Sequence, residues 1–171
     1  MTPKPILVAG YALIDLVHRP TGAQAATGGS PFNVALALAR LGAPVRLLGA
    51  FGRDAHGLAL RRALANAGAD LSLAIDSDKP TPVVHVEPDE TGSPRYRFAL
   101  AGSAFETPLV WPDGAAAPAI HLHAGSTTAL DDINGPGMLE ALGRARGRVG
   151  TSFDPNLRPA VRGAGGEGAC R

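Results

Sequence analysis

The sequence has one cysteine, little net charge and no long apolar run, and each scarcity excludes a class of protein. The single Cys170 excludes a disulfide within the chain and a cluster of metal-binding cysteines. Sixteen basic and fifteen acidic side chains give a formal net charge of +1, which provides no electrostatic attraction toward nucleic acid or an anionic membrane. No apolar run approaches the roughly 18 residues of a membrane span, and residues 1–5 lack a signal-peptide core. We therefore expect a cytoplasmic protein that binds neither nucleic acid nor membrane.

Aromatic residues are also scarce, at 5% of the chain, whereas glycine contributes 22 residues. A length of 171 residues suits one domain, by the usual range of about 100–200 residues. Short apolar runs at residues 6–9, 45–49 and 119–125 are typical of buried strands, and residues 71–75 are predicted to form another strand. Segments 54–67 and 138–146 have the apolar spacing of helices. This alternation predicts strand–helix–strand units.

A double glycine opens the stretch around which the chain is organised. Gly28 and Gly29 allow a close backbone approach or a positive φ. Ser30 is the predicted N-cap of the next helix, and Pro31 is its predicted first residue. Asn33 falls in the first turn, near the glycines and the free backbone N–H groups. This amide at the start of an otherwise apolar helix predicts a contact with a small molecule; the alternative is a turn that needs glycine for geometry alone.

Two further segments carry candidate binding residues. Asp15 interrupts an apolar extended run, where a carboxylate is costly unless it has partners, so it is either a ligand contact or a surface strand residue. Residues 81–101 contain two alternating runs joined by a polar turn, which predicts a β-hairpin. Arg95 and Arg97 on that hairpin also fit the solvated face of an alternating strand.

The segment VGTSFDPNLRPA predicts a strand that delivers Asp154, Asn156 and Arg158 to its carboxyl end. Open parallel sheets bind their ligands at that end. Pro155 and Pro159 stiffen the loop, and the planar fork of an arginine suits a phosphate. The alternative is an ordinary turn with a surface arginine.

His121 and His123 are spaced two residues apart, so together they could chelate a metal ion. They alternate along one predicted strand and therefore point to the same face. Zn²⁺ normally needs three or four protein ligands, and no third ligand is evident. We therefore predict structural histidines and assign no metal-binding residue.

These motifs, in this order, resemble the N-terminal signature of the ribokinase-like (PfkB-type) carbohydrate kinases, and most of all their fructokinase branch. The resemblance rests on the double glycine with Asn33 and on the ALARLG run that ends at Gly42. It also rests on the GAFGRDAHG run from Gly49 to Gly57 and on the D-P-N-L-R string. Nearly all of residues 4–160 are covered.

The resemblance implies an α/β fold with a doubly wound, mostly parallel sheet flanked by helices, and a small β-sheet lid over a sugar site. Segments at about 11–18 and 81–101 would form the lid. Residues 1–162 would be the N-terminal part of the kinase domain, and residues 163–171 an atypical tail. We expect the C-terminal half of the family's domain to be missing.

The resemblance also implies roles for single residues. Asp15 would accept hydrogen bonds from sugar hydroxyls, Arg97 would donate to the sugar, and Phe98 would form a wall beside it. The residues expected to bind the sugar are Asp15, Gly28, Gly29, Asn33, Arg97 and Phe98. Those expected near the phosphates of the nucleotide are Asp154, Asn156 and Arg158. The implied reaction transfers the γ-phosphoryl group of ATP, with Mg²⁺, to a sugar hydroxyl.

The family's second signature, G-A-G-D, supplies an anion hole and an aspartate that acts as general base. The run from Gly163 to Gly166 is superficially similar, but Gly166 stands where that aspartate belongs, and no apolar strand precedes the run. We therefore assign no catalytic residue. The expectation is a fructokinase-like sugar kinase in origin that is inactive as this chain alone, since most of the ATP pocket would also be missing.

Other functions stay open at this stage. A nucleoside kinase of the same superfamily would use the same glycines and asparagine for a ribose. A non-catalytic sugar-binding module fits the missing base, and a fragment that does not fold is the plainest alternative. The sequence decides neither which sugar hydroxyl reacts nor whether two copies form a homodimer through the lid.

Overall fold

The computed structural model describes residues 3–88, 90–111 and 119–156, and these form two sheets and three α-helices. The strands are β1 (Ile6–Ala9), β2 (Leu13–Arg19), β3 (Gly22–Gly28), β4 (Val45–Gly52), β5 (Ala74–Ser77), β6 (Val83–Pro88), β7 (Pro94–Ala99), β8 (His121–Gly125) and β9 (Gly150–Asp154). The α-helices are α1 (Ser30–Arg40), α2 (Ala55–Asn66) and α3 (Gly135–Ala145). Short 3-10 helices span Ala104–Glu106 and Ser126–Leu130.

The larger sheet has the strand order β5-β4-β1-β8-β9, and all of its strands are parallel. The chain builds outward from β1 through β4 to β5 and then returns to the other side of β1 as β8. The order therefore reverses between β1 and β8, and such a switch point leaves a crevice at the carboxyl ends of the strands. The predicted doubly wound, parallel sheet is confirmed.

Helices cover both faces of this sheet. Val8, Leu47 and Phe51 are fully buried in the cluster that includes α1 and α2. Leu7 and Leu122 are buried in the opposite cluster, which includes α3. Successive residues of β1 thus enter opposite layers, which is why this strand is apolar throughout rather than alternating.

The smaller sheet, which we call the lid, has the strand order β3-β2-β6-β7. Two antiparallel hairpins, β2/β3 and β6/β7, are joined through the parallel pair β2/β6. The predicted hairpin over residues 81–101 is confirmed. The sequence did not indicate β3, because its segment GAQAATG has small and polar residues instead of the β-branched and aromatic residues typical of strands.

Several predicted boundaries need correction. The helix expected over 138–146 begins earlier, as α3 at Gly135–Ala145. The strand expected over 71–75 begins later, as β5 at Ala74–Ser77. Ser30 is the first residue of α1 rather than its N-cap; Gly29 occupies the cap position, and no side chain caps that end of the helix among the residues described. Across the same residues, no helix is long and apolar enough to span a membrane.

The start of α2 depends on one carboxylate. Asp54 caps the helix by accepting from the Gly57 backbone N–H at 2.8 Å, and it also accepts from the backbone N–H and the hydroxyl of Thr81, at 2.7 and 2.6 Å. Partial burial by itself raises the pKa of Asp54, but the hydrogen bonds from Thr81 and Gly57 outweigh it, and the net pKa lies below its usual value. This carboxylate therefore joins α2 to the chain entering the lid.

We predict that Asp54→Asn lowers the free energy of unfolding by about 1–2 kcal/mol at neutral pH, because asparagine can keep the cap bond to Gly57 but has one acceptor oxygen for the three donors that Asp54 satisfies. Because the folded-state pKa is depressed, the stabilisation is present above the unfolded-state value near 3.8 and is lost as the pH falls through the folded-state pKa. Urea unfolding of both proteins at about pH 7 and about pH 3 tests this. The control is Asp78→Asn, which removes a carboxylate paired only with exposed Arg53. An equal deficit at both pH values would contradict the prediction.

Candidate active site

A cleft of about 540 Å³ lies between the lid, the start of α1 and the loop after β9. Its wall brings together Asp15 of β2, Asn33 of α1 and Phe98 of β7 with Gly29 and Asn156. These five predicted site residues come from four separate parts of the chain. The structure therefore places the sugar-side and phosphate-side candidates around one cavity.

The double glycine allows the lid to approach α1. A Cβ atom at Gly28 would lie 2.2 Å from Oδ2 of Asp15, so a side chain there would displace that carboxylate. Gly29 has a φ of +101°, and a Cβ atom there would lie 2.7 Å from the carbonyl oxygen of Tyr11. The first glycine thus admits the Asp15 side chain, and the second turns the chain from β3 into α1.

The start of α1 faces the cleft without a capping side chain among the described residues. Gly29, in its left-handed conformation, brings Ser30 into the first turn, and the Ser30 hydroxyl donates to Oδ2 of Asp154 at 3.2 Å. Because Ser30 is the first helical residue and not the cap, its hydroxyl makes this contact and no N-cap bond is formed. The first backbone N–H groups of the helix, together with its dipole, suit an anionic or polar group in the cleft.

Asp154 organises the loop that follows β9. Its Oδ1 atom accepts from the backbone N–H of Asn156 at 3.0 Å, while Oδ2 accepts from Ser30. Asn156 has a φ of +43°, an uncommon conformation that asparagine tolerates, and it lines the cleft. Asp154 itself is not part of the wall but holds Asn156 there. Arg158 and the tail at 163–171 lie outside the described residues.

The structure brings only one of the two predicted lid residues of β7 to the cleft. Tyr96 and Phe98 line the cavity, whereas Arg97 points to the other face of the lid, as alternation along a strand requires. Its guanidinium lies 3.8 Å from Glu87, and its side chain is 63% exposed. Arg97 therefore occupies the solvated face that the sequence analysis offered as the alternative.

A buried polar network beneath the cleft was not expected from the sequence. The Tyr11 ring stacks on Phe105 with centroids 3.9 Å apart, and its hydroxyl donates to Asp131 at 2.6 Å. Asn134 donates to the same hydroxyl at 2.8 Å and accepts from the Leu109 backbone N–H. Burial, and then the Asp131 carboxylate, raise the pKa of Tyr11 far above its usual value, so the phenol stays protonated.

Tyr11 follows β1 at the switch point, and that position is the one signal that marks it in the sequence. Phe105 lies in the 3-10 helix Ala104–Glu106, and Asp131 directly follows the 3-10 helix Ser126–Leu130. Nothing local to either residue indicates the contact. The network fixes one wall of the cleft, because Tyr11 and Phe105 both line it.

The two histidines of β8 share one partner on the neighbouring strand. His121 Nε2 and His123 Nδ1 each lie 2.8 Å from the Ser152 hydroxyl of β9, so they point to the same face as predicted. Burial lowers the pKa of His123, and nearby His121 lowers it further against the opposing effect of Asp154. His123 is therefore neutral near pH 7, and the pair connects β8 to β9.

A family model described as pfkB family carbohydrate kinase matches residues 5–164. The chain belongs to this family. The fructokinase of Salmonella typhimurium is 33% identical over 159 residues, which are 90% of this chain and 51% of that enzyme. The predicted family membership is thus confirmed, and the chain spans about half the length of the relatives it matches.

Solved structures of pfkB-type enzymes agree with the fold. A fructokinase from Xylella fastidiosa with bound ATP superposes with a TM-score of 0.84 at 28% identity, covering 95% of this chain and 55% of that one. A double-mutant fructokinase from Vibrio cholerae O395, in a form with fructose, ADP and potassium ion bound, gives a TM-score of 0.73 at 27% identity, covering 91% and 51%.

We predict that Gly28→Ala lowers the free energy of unfolding by about 1–3 kcal/mol, the usual cost of overpacking. The added methyl group collides with the Asp15 carboxylate, and the backbone of Gly28 has no positive φ that would add strain of its own. The measurement is urea unfolding of a double-mutant cycle with Asp15→Ala. In that background the nearest remaining obstacle is the flexible Leu13 side chain at 3.3 Å, so most of the cost should vanish. A cost unchanged by Asp15→Ala would contradict the assigned contact.

Proposed function

We propose that this chain binds the sugar for a fructokinase-like reaction, in which the γ-phosphoryl group of ATP passes to a sugar hydroxyl. The observation that carries the proposal is the single cleft shared by Asp15, Asn33, Phe98 and Asn156. Its volume of about 540 Å³ is within the usual range of small-molecule sites. The residues around this cleft offer hydrogen-bonding groups and apolar surface that suit a sugar.

The lid side of the cleft suits the hydroxyls and apolar faces of a monosaccharide. Asp15 offers carboxylate oxygens as acceptors, and Asn33 offers both a donor and an acceptor. Phe98 and the stacked rings of Tyr11 and Phe105 offer apolar surface for the carbon skeleton. Gly29 lets the backbone approach the ligand closely.

The other end of the cleft suits a phosphoryl group in transit. The start of α1 provides backbone N–H donors and the positive end of a helix dipole, and Asn156 adds an amide beside them. Phosphoryl transfer depends mostly on positioning and on stabilising charge, which these groups supply. Mg²⁺ would neutralise charge on the nucleotide phosphates, and we assign it no residue of this chain.

Sugar binding and phosphorylation of the sugar need different groups of the protein. The family's general base belongs to a G-A-G-D motif, and the GAGG run of this chain carries Gly166 at that point. We therefore propose that the 171-residue chain binds a sugar and does not phosphorylate it. A cytoplasmic location and a homodimer through the lid stay predictions from the sequence.

Calorimetric titration of the chain with fructose, followed by an ATP-coupled turnover assay, tests the proposal. We expect saturable binding and no turnover by the chain alone, with turnover appearing when the chain is extended by the C-terminal half of a family enzyme. Ribose, 2-keto-3-deoxygluconate and adenosine serve as competing ligands. Preference for adenosine would favour a nucleoside kinase. Binding with no turnover in the extended protein would favour a binding module, and no binding of any ligand would overturn the proposal.

We predict that Asn33→Ala weakens sugar binding about tenfold, which corresponds to the loss of one or two hydrogen bonds. Asn33 is exposed and its side chain faces the cleft, so the free energy of unfolding should change by less than about 0.5 kcal/mol. Calorimetry and urea unfolding measure the two effects separately.

The matched control is Asn66→Ala, which removes another exposed helical asparagine, at the end of α2 and outside the cleft wall. It should leave sugar affinity unchanged. Equal affinity of the Asn33 variant and the parent chain would remove Asn33 from the proposed site.

A further inference from the structure

Two histidines and a glutamate meet on the face of the lid that points away from the cleft. His18 belongs to β2, and His85 and Glu87 belong to β6. Asp15 and Val84 line the cleft, and alternation places His18 and His85 on the opposite face of the same strands. The parallel register pairs Leu16 with His85, so His18 lies two residues further along β2, beside Glu87.

The two imidazoles are already arranged around a common point. His18 Nε2 lies 3.0 Å from His85 Nδ1, and the rings are nearly parallel, with centroids 5.2 Å apart and an interplanar angle of 19°. One ligand atom from each of His18, His85 and Glu87 lies within 4.8 Å of the others. Both histidines are half-buried, and Glu87 is exposed.

This geometry is close to that of a metal site. Zn²⁺ binds imidazole nitrogens at about 2.0–2.1 Å, so a tetrahedral site separates two such nitrogens by about 3.3 Å. The observed 3.0 Å therefore needs an adjustment of only a few tenths of an ångström. The exposed Glu87 side chain is free to rotate its carboxylate to the roughly 2.0–2.2 Å that Zn²⁺–oxygen bonds require.

We propose that His18, His85 and Glu87 bind one divalent transition-metal ion of the Zn²⁺ class, with water in the fourth position. In the metal-free chain, one ring donates its N–H to the other. Metal binding requires the donating ring to move its proton to its other nitrogen, which leaves Nε2 of His18 and Nδ1 of His85 as neutral imidazole ligands. Imidazole nitrogen and carboxylate oxygen are the ligand types that Zn²⁺ accepts together.

Two arginines on this face oppose the metal. The Arg97 guanidinium lies 3.8 Å from Glu87, and the antiparallel register places Arg97 across from His85 and Arg95 across from Glu87. Glu87 must exchange its contact with Arg97 for the metal. Both arginines add positive charge beside the site, so replacing Arg97 with a neutral residue should strengthen metal binding.

The ion would connect two strands that are distant in the sequence. His18 and His85 are separated by 67 residues, and the strands that carry them also hold Asp15 and Val84 in the cleft wall. A metal bound only to the folded lid stabilises it by mass action. Because His18 is 67 residues from His85, no local spacing in the sequence reveals this site.

Calorimetric titration of the EDTA-treated, dialysed chain with ZnCl₂, in the absence of sugar and nucleotide, tests this proposal. We expect one Zn²⁺ per chain. His18→Gln and His85→Gln should each weaken Zn²⁺ binding at least 10- to 100-fold. Loss of a residue that only hydrogen-bonds to a metal ligand already costs that much affinity, and loss of the ligand itself should cost no less. Glu87→Gln should also weaken binding, and Arg97→Gln should strengthen it. Far-UV circular dichroism verifies that each variant is folded.

The control is His56→Gln, which removes an imidazole of α2 outside the cluster and should leave Zn²⁺ affinity unchanged. Substitution with Co²⁺ gives a second readout on the parent chain, since a tetrahedral site produces intense visible absorption. Binding that survives both His18→Gln and His85→Gln, or that is lost with His123→Gln instead, would overturn the proposal. So would a parent chain that binds no Zn²⁺, or one whose Co²⁺ spectrum is octahedral.

Discussion

The close contact between the double glycine and the start of the lid is the constraint on which this structure depends. Gly28 lies against the Asp15 carboxylate, and Gly29 lies against the backbone of Tyr11. A side chain at Gly28 would displace the Asp15 carboxylate, which lines the cleft, and one at Gly29 would collide with the backbone just before β2. The contact of Gly29 with Tyr11 thus limits how closely the start of α1 can approach the lid. The shape of this side of the cleft therefore depends on two consecutive residues that lack a Cβ atom.

The parts of the fold that the sequence predicted are those whose signals are local. β1, α1 and the hairpin β6/β7 each follow from their own apolar pattern, and Asp54 marks the start of α2 by its capping chemistry. β3 could not be predicted in this way, because its residues have no strand pattern of their own. Its extended form comes from seven register pairs with β2. Ser30 shows the same limit at the level of one side chain, since Gly29 takes the cap position and the Ser30 hydroxyl donates instead to Asp154, 124 residues away.

The candidate site also contains some residues that local sequence motifs predicted and others that they did not. Asp15, Gly29 and Asn33 stand in compact motifs, and the structure brings them to one wall. Arg97 and Phe98 were predicted to act together, yet adjacent residues of a strand face opposite sides of a sheet, so only one of the two can line the cleft. Tyr11 reaches Asp131 through packing across 120 residues of sequence, and no pattern near either residue carries that information.

The hydrogen bond from Ser30 to Asp154 gives the cleft its internal geometry. It ties the start of α1 to the end of β9, and Asp154 at the same time holds the backbone of Asn156. In the proposed reaction, α1 contacts the sugar through Asn33 while Asn156 faces the phosphoryl group, so the separation of the two substrates is set by one short chain of contacts. Correct placement of the reacting groups accounts for a large part of catalysis in phosphoryl transfer. On the function proposed above, binding of the sugar therefore depends on this spacing.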